Sequence, residues 1–363
     1  MDKNFSEIKR VWFITDTHLG ARSNSQEWID IIEDYFYNFF IPLVKKHYRP
    51  GDILCHLGDV FDSRSAINLK VLTVCVNIFE DLSEIFKDGI IIIPGNHDVY
   101  AKSSNDVNSL ISLKWIPNIQ IFEEPASLMI GTKKFLLMPW RKDHEEEKAC
   151  VQSMGPHDYL LCHADIAGMK FNKHVVVSTG CDISTYKDFT RVYCGHIHYA
   201  QRKNNITLLG SPYEITRSDM NNEKGITLLD LESGKEQYWP NTHSPRFLQY
   251  SFTHILNDTP EKTKHNFRNN FVDVYINSEH SLKAPLGTLT EMLEGSFRKI
   301  DFRPSQEDIP AFANTDLEES ADVMQSVKKY LDGTTAYDPA TKKKIFEHIN
   351  FLYQEVERAE KLD

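Results

Sequence analysis

Residues 11–18 read VWFITDTH, a short apolar run that ends in an aspartate and a histidine. A run of this length, rich in β-branched and aromatic residues, is typical of a buried strand. Asp16 and His18 stand two residues apart, and on extended backbone such side chains point to the same side. The segment therefore predicts a strand, Val11–Thr15, that carries two metal-binding side chains at its carboxyl end.

The same arrangement recurs further along the chain. Apolar runs at 53–57, 91–94, 159–162 and 192–194 are followed by GDVFD (58–62), GNHD (95–98), His163 and GHIH (195–198). Ligand sites of α/β sheets form beyond the carboxyl ends of the strands. Aspartate oxygens and neutral histidine nitrogens suit manganese, iron or zinc. DxH alone is weak evidence and GNHD alone moderate, but the five motifs together predict a metal site. His56, inside a strand, is interpreted as structural.

The first part of the chain, residues 1–242, alternates short apolar runs with amphipathic segments, which is an α/β pattern. One-sided apolar stripes predict helices over 26–47 and 68–86. Further strands are predicted at Lys134–Met138, Tyr159–Cys162, Val192–Cys194, Ile206–Leu209 and Ile226–Leu231. Because several of the links between them are too short for a helix, two partly antiparallel sheets fit better than one open parallel sheet.

Composition shifts near Pro240–Pro245, and we place a boundary there. Residues 243–303 are predicted to form a small α+β cap domain with strands at 271–276 and 297–302 and a helix at 286–293. Residues 304–314 contain two prolines and mixed charge, which indicates a linker.

The last segment, residues 315–363, predicts two amphipathic helices. Thr315 and Glu318 have the spacing of a capping box, and Asp338 caps the second helix with Pro339 at its first position. The apolar faces carry Leu317, Met324 and Leu331, then Ile345, Ile349, Leu352 and Val356. One interpretation is that the helices pack on their own domain. The one we favour is that an isolated hairpin has too small a core and binds a partner.

Composition limits the classes of function. The chain has 363 residues and a net charge of −11. It lacks an apolar run of the ~20 residues that span a bilayer, and its polar N-terminus lacks a secretory signal. We therefore expect a cytoplasmic protein, in the host cytoplasm if phage-encoded. An acidic chain must grip nucleic acid through a local patch, metals or a partner. Candidate phosphate contacts in loops after the motif strands are Arg22, Arg64, Lys102 and Arg141, although solvated surface charge explains each equally well.

The motifs resemble those of the calcineurin-like metallophosphoesterase superfamily, whose pattern is DxH, GDxxD, GNHD, H and GHxH. Within it the chain is similar to the SbcD group of recombination nucleases, the bacterial and phage relatives of the eukaryotic Mre subunit. The narrower resemblance is carried by DTHLG (16–20), GDVFDS (58–63), MPW (138–140), GSP (210–212) and KGI (224–226). It implies a four-layer αββα sandwich, followed by a small DNA-binding cap and a C-terminal helical hairpin.

The resemblance also implies a ligand set and partners. Asp16, His18, Asp59 and His198 would hold one metal, and Asp59, Asn96, His163 and His196 the other. Two manganese ions are implied, although magnesium, iron or zinc also fit the motifs. The working form of the group is a homodimer within a heterotetramer, bound to an SbcC-type ABC ATPase with a long coiled coil. The terminal hairpin would bind that coiled coil, and the helices after the first two motifs would form the homodimer surface.

The resemblance leaves His97 and Asp98 for roles other than metal binding. We assign His97 to donate a proton or hydrogen bond to the phosphate or the leaving oxygen, and Asp98 to orient a neighbouring histidine. Some members carry a histidine where this chain has Asp62, so a catalytic role of that histidine would have to be filled differently here.

The predicted function is that of a manganese-dependent DNA exonuclease and endonuclease subunit in DNA end processing, replication, repair and recombination. Hydrolysis would use water activated by two metals, because no Ser or Cys is arranged as a nucleophile. One alternative is a phosphomonoesterase or cyclic-nucleotide phosphodiesterase of the same superfamily. The other is a non-catalytic scaffold for DNA ends.

Overall fold

The computed structural model describes residues 5–100, 105–173, 175–276, 293–304, 328, 331 and 338–360, with side chains up to residue 350 in the last range. The chain divides after Phe247 into two compact units. The boundary that composition predicts, after residue 242, falls in the loop just before this division. Among the described helices, none combines the length and apolar character that crossing a membrane requires.

The first unit contains a six-stranded sheet that is parallel at its centre. Its strands, numbered along the chain, are β1 (Arg10–Ile14), β2 (Asp52–His56), β3 (Ile90–Ile92), β4 (Ile119–Ile121), β13 (Gly225–Asp230) and β14 (Glu236–Pro240). They lie in the order β14-β13-β1-β2-β3-β4. Strands β1 to β4 are parallel, while β13 runs antiparallel to β1 and β14 antiparallel to β13. Four strand ends therefore meet at one edge of this sheet.

A second six-stranded sheet has the same mixed character. Its strands are β5 (Ala126–Ile130), β6 (Lys133–Met138), β7 (Tyr159–His163), β10 (Arg191–Gly195), β11 (Gln201–Lys203) and β12 (Ile206–Leu208). The order is β11-β12-β10-β7-β6-β5, with antiparallel strands at both edges. Two short strands, β8 (Ile166–Ala167) and β9 (Cys181–Asp182), pair separately.

The two sheets face each other across a buried core. Phe13 of β1 stacks on Tyr193 of β10 with ring centroids 4.3 Å apart. Val11, Leu137 and Leu161 lie in the same cluster. Because alternate residues of a strand point to opposite faces, the neighbouring residues of these strands point outwards. The prediction of two partly antiparallel sheets is confirmed.

Helices cover the outer faces. They are α1 (Gln26–Tyr35), α2 (Ile41–His47), α3 (Leu69–Ile85) and α4 (His144–Ser153), with 3-10 turns at Ser109–Leu113, Ile183–Tyr186 and Arg217–Asp219. His56 of β2 lies 6.2 Å from the ring of Phe79 on α3, measured between centroids. On the other side, Val151 of α4 packs with Leu160 of β7. The first unit is therefore layered as helix, sheet, sheet and helix.

The predicted single helix over 26–47 is interrupted. Helix α1 passes into a π-helical turn, Phe36–Phe40, before α2 begins. The amide of Ile41 donates to the carbonyl of Phe36, one residue further back than in an α-helix. Pro42 has no N–H to donate to the preceding turn, and its ring crowds that turn, so the wider π turn accommodates it.

The second unit contains a three-stranded sheet and two short helices. The strands are β15 (Phe247–Ser251), whose first residue is the last residue of the first unit, β16 (Phe271–Ile276) and β17 (Lys299–Pro304). The helices are α5 (Phe252–Asn257) and α6 (Pro260–Phe267). Phe252, Phe267 and Val274 lie in its core. The predicted strand at 271–276 is confirmed, whereas the strand predicted at 297–302 lies two residues later. The helix predicted at 286–293 lies largely outside the described residues.

The chain ends in helix α7 (Pro339–Glu360). The carboxylate of Asp338 accepts the amides of Ala340 and Thr341, so the predicted N-cap is confirmed. Ile345 and Ile349 are half-buried. The first predicted helix of the hairpin, with Leu317 and Met324, lies outside the described residues apart from Lys328 and the buried Leu331.

Candidate metal centre

The loops that follow β1, β2, β3, β7 and β10 meet where the parallel strands of both sheets end. They bring together all seven side chains predicted as ligands: Asp16, His18, Asp59, Asn96, His163, His196 and His198. The fold thus brings these seven side chains together, although they are spread over 183 positions of the sequence, from residue 16 to residue 198. Parallel strands produce this result because their carboxyl ends share an edge.

One group of ligand atoms is formed by Asp16, His18 and His198, whose donor atoms lie within 4.8 Å of one another. The Nε2 atoms of the two histidines are 2.9 Å apart. Asp16 also accepts the backbone amide of His196 at 3.0 Å, which joins the first motif to the last. Nitrogen and carboxylate oxygen atoms at this spacing suit a divalent ion.

A second group surrounds the side-chain oxygen of Asn96. This atom is 2.9 Å from Nε2 of His163 and 2.7 Å from Nδ1 of His196. Asp59 lies between the two groups, because its Oδ2 is 3.4 Å from Nε2 of His163 and 3.6 Å from Nε2 of His18. That is the position expected of a carboxylate shared by two metals.

In the second group, each histidine donates a proton from the ring nitrogen that faces away from Asn96. This fixes which nitrogen of each ring keeps a lone pair. Nδ1 of His163 lies 2.7 Å from the carbonyl of Leu57, which can only accept, so Nδ1 carries a proton. Nε2 of His196 lies 3.0 Å from the carboxylate of Asp165 and donates to it. The remaining nitrogens therefore face the acceptor oxygen of Asn96 with lone pairs. Protons or a cation must lie among them, and the set fits a divalent metal with outer carboxylate and carbonyl supports.

The first group has similar supports. Nδ1 of His18 is 3.2 Å from the carboxylate of Asp62, and Nδ1 of His198 is 3.8 Å from that of Asp219. Lys224 in turn contacts Asp219 at 3.0 Å. Asp165 and Asp219 were not identified from the sequence as residues that support the ligand histidines. Asp165 carries a usable signal, since it stands two residues after His163, the same spacing as in the first motif.

The buried carboxylates of the centre stabilise positive charge on the groups around them. Burial alone would lower the pKa of His163, but Asp59 outweighs it and raises the pKa to about 10. Burial is likewise outweighed at His18, where Asp62 and Asp59 raise the pKa to about 9. In the other direction, burial would raise the pKa of Asp59, yet His163 and His18 hold it well below its ordinary range. Divalent ions supply that charge without protonating the ligands.

The backbone of the centre is strained where the ligands turn inwards. Asp16, His18, Asp59 and His196 all have positive φ, between 43° and 80°. Non-glycine residues rarely adopt this region, and such outliers concentrate at functional sites. Gly95 packs so closely that a Cβ there would come within 2.2 Å of Oδ1 of Asp59. A side chain at this position would therefore collide with the shared carboxylate, and only glycine fits there.

His97 lies outside the two ligand groups described above, but its ring forms a third group with His18 and Asp62, whose donor atoms lie within 4.8 Å of one another. Its amide donates to Oδ1 of Asp59 at 2.7 Å. Its Nδ1 lies 2.7 Å from the carbonyl of Asp62 and donates to it. Burial holds the pKa of His97 below its ordinary value, and the cations of His18 and Arg64 act in the same direction. Nε2 is therefore the ring nitrogen left for a substrate.

Asp98 does not have the contacts predicted for it. Its fully buried carboxylate accepts the amides of Val60, Phe61 and Gly95 at 2.9 to 3.1 Å, rather than a histidine ring. Burial and the charge of Asp59 raise the pKa of Asp98 to about 6. The expectation that Asp98 orients a histidine is thus wrong. This residue instead holds the loops of the second and third motifs together.

The predicted phosphate contacts differ in their surroundings. Arg64 is half-buried, its Nε has no hydrogen-bond partner, and its charge acts on His97. Arg22 donates through Nε to the carbonyl of Ile215 at 3.1 Å. Arg141 pairs with Glu124, and Lys102 lies outside the described residues.

His56 contacts Thr17 at 3.0 Å, and burial lowers its pKa to about 3, which agrees with a structural role.

Comparison with known proteins gives a family and several relatives. Residues 9–200 match the family model of calcineurin-like phosphoesterases. The chain is 27% identical over 243 residues to exonuclease subunit 1 of Enterobacteria phage T4, covering 65% of this chain and 69% of that protein. It is 23% identical over 322 residues to the DNA double-strand break repair protein Mre11 of Nanoarchaeum equitans, covering 80% and 84%. A solved structure described as a novel archaeal phosphodiesterase aligns with 64% of this chain and 99% of its own, at 15% identity and a TM-score of 0.34.

Proposed function

The chain belongs to the calcineurin-like phosphoesterase family, as its motifs predicted, and on that basis we propose that it is a manganese-dependent DNA nuclease. The observation that carries the proposal is the position of Asp59, whose Oδ2 lies 3.4 and 3.6 Å from histidines of two separate ligand groups. A shared carboxylate between two ligand groups is the arrangement of two-metal hydrolases.

Each part of the centre then has a chemical task. His163 and His196, fixed by Leu57 and Asp165, would hold one divalent ion with their lone pairs, and His18 and His198 would hold the other. Bound there, the ions would supply a Lewis acid for the phosphoryl oxygens and a water of lowered pKa as the nucleophile. His97 offers Nε2 to the phosphate or the leaving oxygen. Arg64, with its buried and unpartnered Nε beside His97, contacts a non-bridging phosphate oxygen.

DNA as the substrate is supported by the relatives rather than by the metal ligands. A phage exonuclease subunit and an archaeal DNA double-strand break repair protein align with 65% and 80% of the chain. The second alignment extends beyond residues 9–200, the range of the family model. We assign the second unit to DNA binding as a cap, and the whole chain to DNA end processing, repair and recombination.

The proposed assembly is supported by the resemblance of the motifs, by the relative named as a subunit of an exonuclease, and by the terminal helix. Ile345 and Ile349 on α7 are half-buried and lie four residues apart, so they share one face. We assign this face to the coiled coil of an SbcC-type ABC ATPase, with the nuclease as a homodimer in the complex.

One comparison of substrates tests the proposed function. Purified protein is given linear duplex DNA, a cyclic nucleotide, bis(p-nitrophenyl) phosphate or p-nitrophenyl phosphate, with and without manganese, and Asp59→Asn is the matched control. The proposal predicts manganese-dependent release of nucleotides and cleavage of the diester, both lost in Asp59→Asn. Rapid hydrolysis of the monoester with DNA left intact would identify a phosphomonoesterase instead. A cyclic nucleotide cleaved in preference to DNA would identify the other alternative in the family, and binding of DNA without hydrolysis would identify a scaffold.

A further inference from the structure

A buried lysine stands behind one of the predicted metal ligands. Lys224 is 5% exposed, and lysine is almost never buried to this extent unless it is paired. Its ammonium donates to the backbone carbonyl of His198 at 2.5 Å and to Oδ1 of Asp219 at 3.0 Å. Among the described residues, both hydrogen-bond partners of this cation therefore belong to the surroundings of one ligand, His198.

The carboxylate of Asp219 uses its two oxygens for two different contacts. Oδ2 accepts the amides of Ile215 and Thr216 at 3.1 and 2.8 Å, which fixes the carboxylate on its own turn. Oδ1 faces Nζ of Lys224 at 3.0 Å and Nδ1 of His198 at 3.8 Å. A carboxylate beside Nδ1 favours the tautomer that carries its proton there, which leaves the lone pair of the ring on Nε2 for the metal.

The backbone that follows His198 is held by the same short segment of the chain. The side chain of Asn222 accepts the amide of Ala200 at 2.8 Å and donates to the carbonyl of Ala200 at 3.0 Å. Together with the bond from Lys224 to the carbonyl of His198, three hydrogen bonds reach this loop. The loop that carries the last ligand is therefore fixed by contacts within the protein.

Two of the short motifs that carry the narrower resemblance meet at the carbonyl of His198. Lys224 opens KGI (224–226), and Gly210 opens GSP (210–212). Gly210 has a φ of 71°, and a Cβ there would come within 2.6 Å of the carbonyl oxygen of His198. A side chain at Gly210 would therefore displace the carbonyl that Lys224 binds.

We propose that Lys224 is a positioning residue of the metal centre, which acts through Asp219 and the carbonyl of His198 to direct Nε2 of His198 at the ion of the first ligand group. The inference rests on the two-metal centre of the proposed function. The effect of Lys224 falls on one ion, because other residues hold the outward nitrogens of His163 and His196 in the second group.

Binding of manganese to metal-free protein tests the proposal, because calorimetry follows the two sites without relying on activity. Lys224→Met removes the charge with little change in side-chain length, Asp219→Asn removes the carboxylate, and the double variant removes both. His198→Asn is the reference for loss of the first site. Lys235→Met removes an exposed lysine between β13 and β14 and is the control.

Each single variant should bind manganese about 10- to 100-fold more weakly at the first site and within about twofold of wild type at the second. At concentrations that fill both sites of the wild type, the paramagnetic resonance signal of two coupled ions should give way to that of one ion. The double variant should lose no more affinity than the weaker-binding single variant, because Lys224 and Asp219 act as one unit. It also leaves neither buried charge unpaired, so a loss that persists in it does not come from misfolding.

The outcomes separate the role of Lys224 from the proposed function. Two sites of wild-type affinity in Lys224→Met and in Asp219→Asn would overturn the role of Lys224 alone. Equal weakening of both sites, or recovery of the first site in the double variant, would overturn it too, because the single variants would then act through an unpaired buried charge on the whole fold. A wild-type protein that binds fewer than two ions would overturn both proposals.

Discussion

The carboxylate of Asp59 contacts three other motif residues of the centre. One carboxylate oxygen accepts the amide of His97 at 2.7 Å, and the other faces His18 and His163. The same residue has a positive φ of 54° and packs against Gly95. The position of His97 beside the ligands is therefore tied to the carboxylate that both metals would share.

Changing His97 to Asn tests the separation of catalysis from metal binding. Asn lacks the ring nitrogen that faces the substrate, so we expect cleavage of DNA and of the diester to fall by roughly 10² to 10⁴. Metal content, measured by elemental analysis, should stay at the wild-type level. His265→Asn alters an exposed histidine on α6 and is the control. Full activity of His97→Asn would show that the assignment is wrong.

Changing Asp165 to Asn tests the support of one ligand. Asp165 accepts from Nε2 of His196 at 3.0 Å, which leaves Nδ1 for the metal. Losing that acceptor should weaken metal binding by about 10- to 100-fold, seen by calorimetric titration of the metal-free protein with manganese. Asp188→Asn removes an exposed carboxylate 23 residues after Asp165 and should bind like wild type. Equal affinities in both variants would leave Asp165 without a role in positioning.

Among single residues, the sequence predicted those whose position depends on the strand directly before them. Each residue of the ligand set follows a strand, so its place at the sheet edge was recoverable from the apolar run before it. Asp219 was not recoverable, because it reaches His198 from a 3-10 turn 21 positions later in the chain. Asp98 was misassigned for a related reason. Its partners are backbone amides of another loop, and sequence does not encode which amides a buried carboxylate meets.

Among the elements, the long helices and the central strands were predictable and the short edges were not. Strands β1, β2 and β7 are buried throughout, which gives them continuous apolar runs. Strand β4, by contrast, has three half-buried residues at a sheet edge and no such run. The break at Phe36–Phe40 was missed because the apolar stripe continues through it, although Pro42 marked the position.

Helix α4 carries a buried acid that makes stability depend on pH. Burial, assisted by the charge of Asp165, raises the pKa of Glu147 to about 7, against the opposing effects of Tyr186, Cys181 and His196. Tyr186 donates its hydroxyl to Glu147 at 2.5 Å. The folded protein therefore keeps this proton above 4.5, the ordinary value. The contribution to stability is complete below pH 4.5 and is lost as pH rises through 7.

Glu147→Gln should remove that dependence. Between pH 5 and pH 8 the variant should lose about 2.5 kcal/mol less unfolding free energy than the wild type, measured by urea unfolding. Glu145→Gln, which alters an exposed acid of the same helix, should behave like wild type. If Glu147→Gln and the wild type lost stability equally over this range, the buried acid would not be the source.

For the whole molecule, the partner surface is assigned to α7. Ile345→Asp combined with Ile349→Asp places charge on its half-buried face, so the variant should no longer co-purify with the proposed coiled-coil ATPase partner. Cleavage of bis(p-nitrophenyl) phosphate should be unchanged, because the metal centre is built entirely within the first unit. Lys344→Asp, an exposed position on the same helix, is the control. Retention of the ATPase by the double variant would assign its binding elsewhere.

The metal stoichiometry of activity tests the two-metal account most directly. Metal-free protein is titrated with manganese while bound metal and diester cleavage are followed together, for wild type and for Asp59→Asn. The account predicts that wild type binds two manganese ions per chain, that cleavage returns only as the second site fills, and that Asp59→Asn loses tight binding at both sites. Full activity with one ion per chain, or cleavage by protein freed of metal, would contradict it.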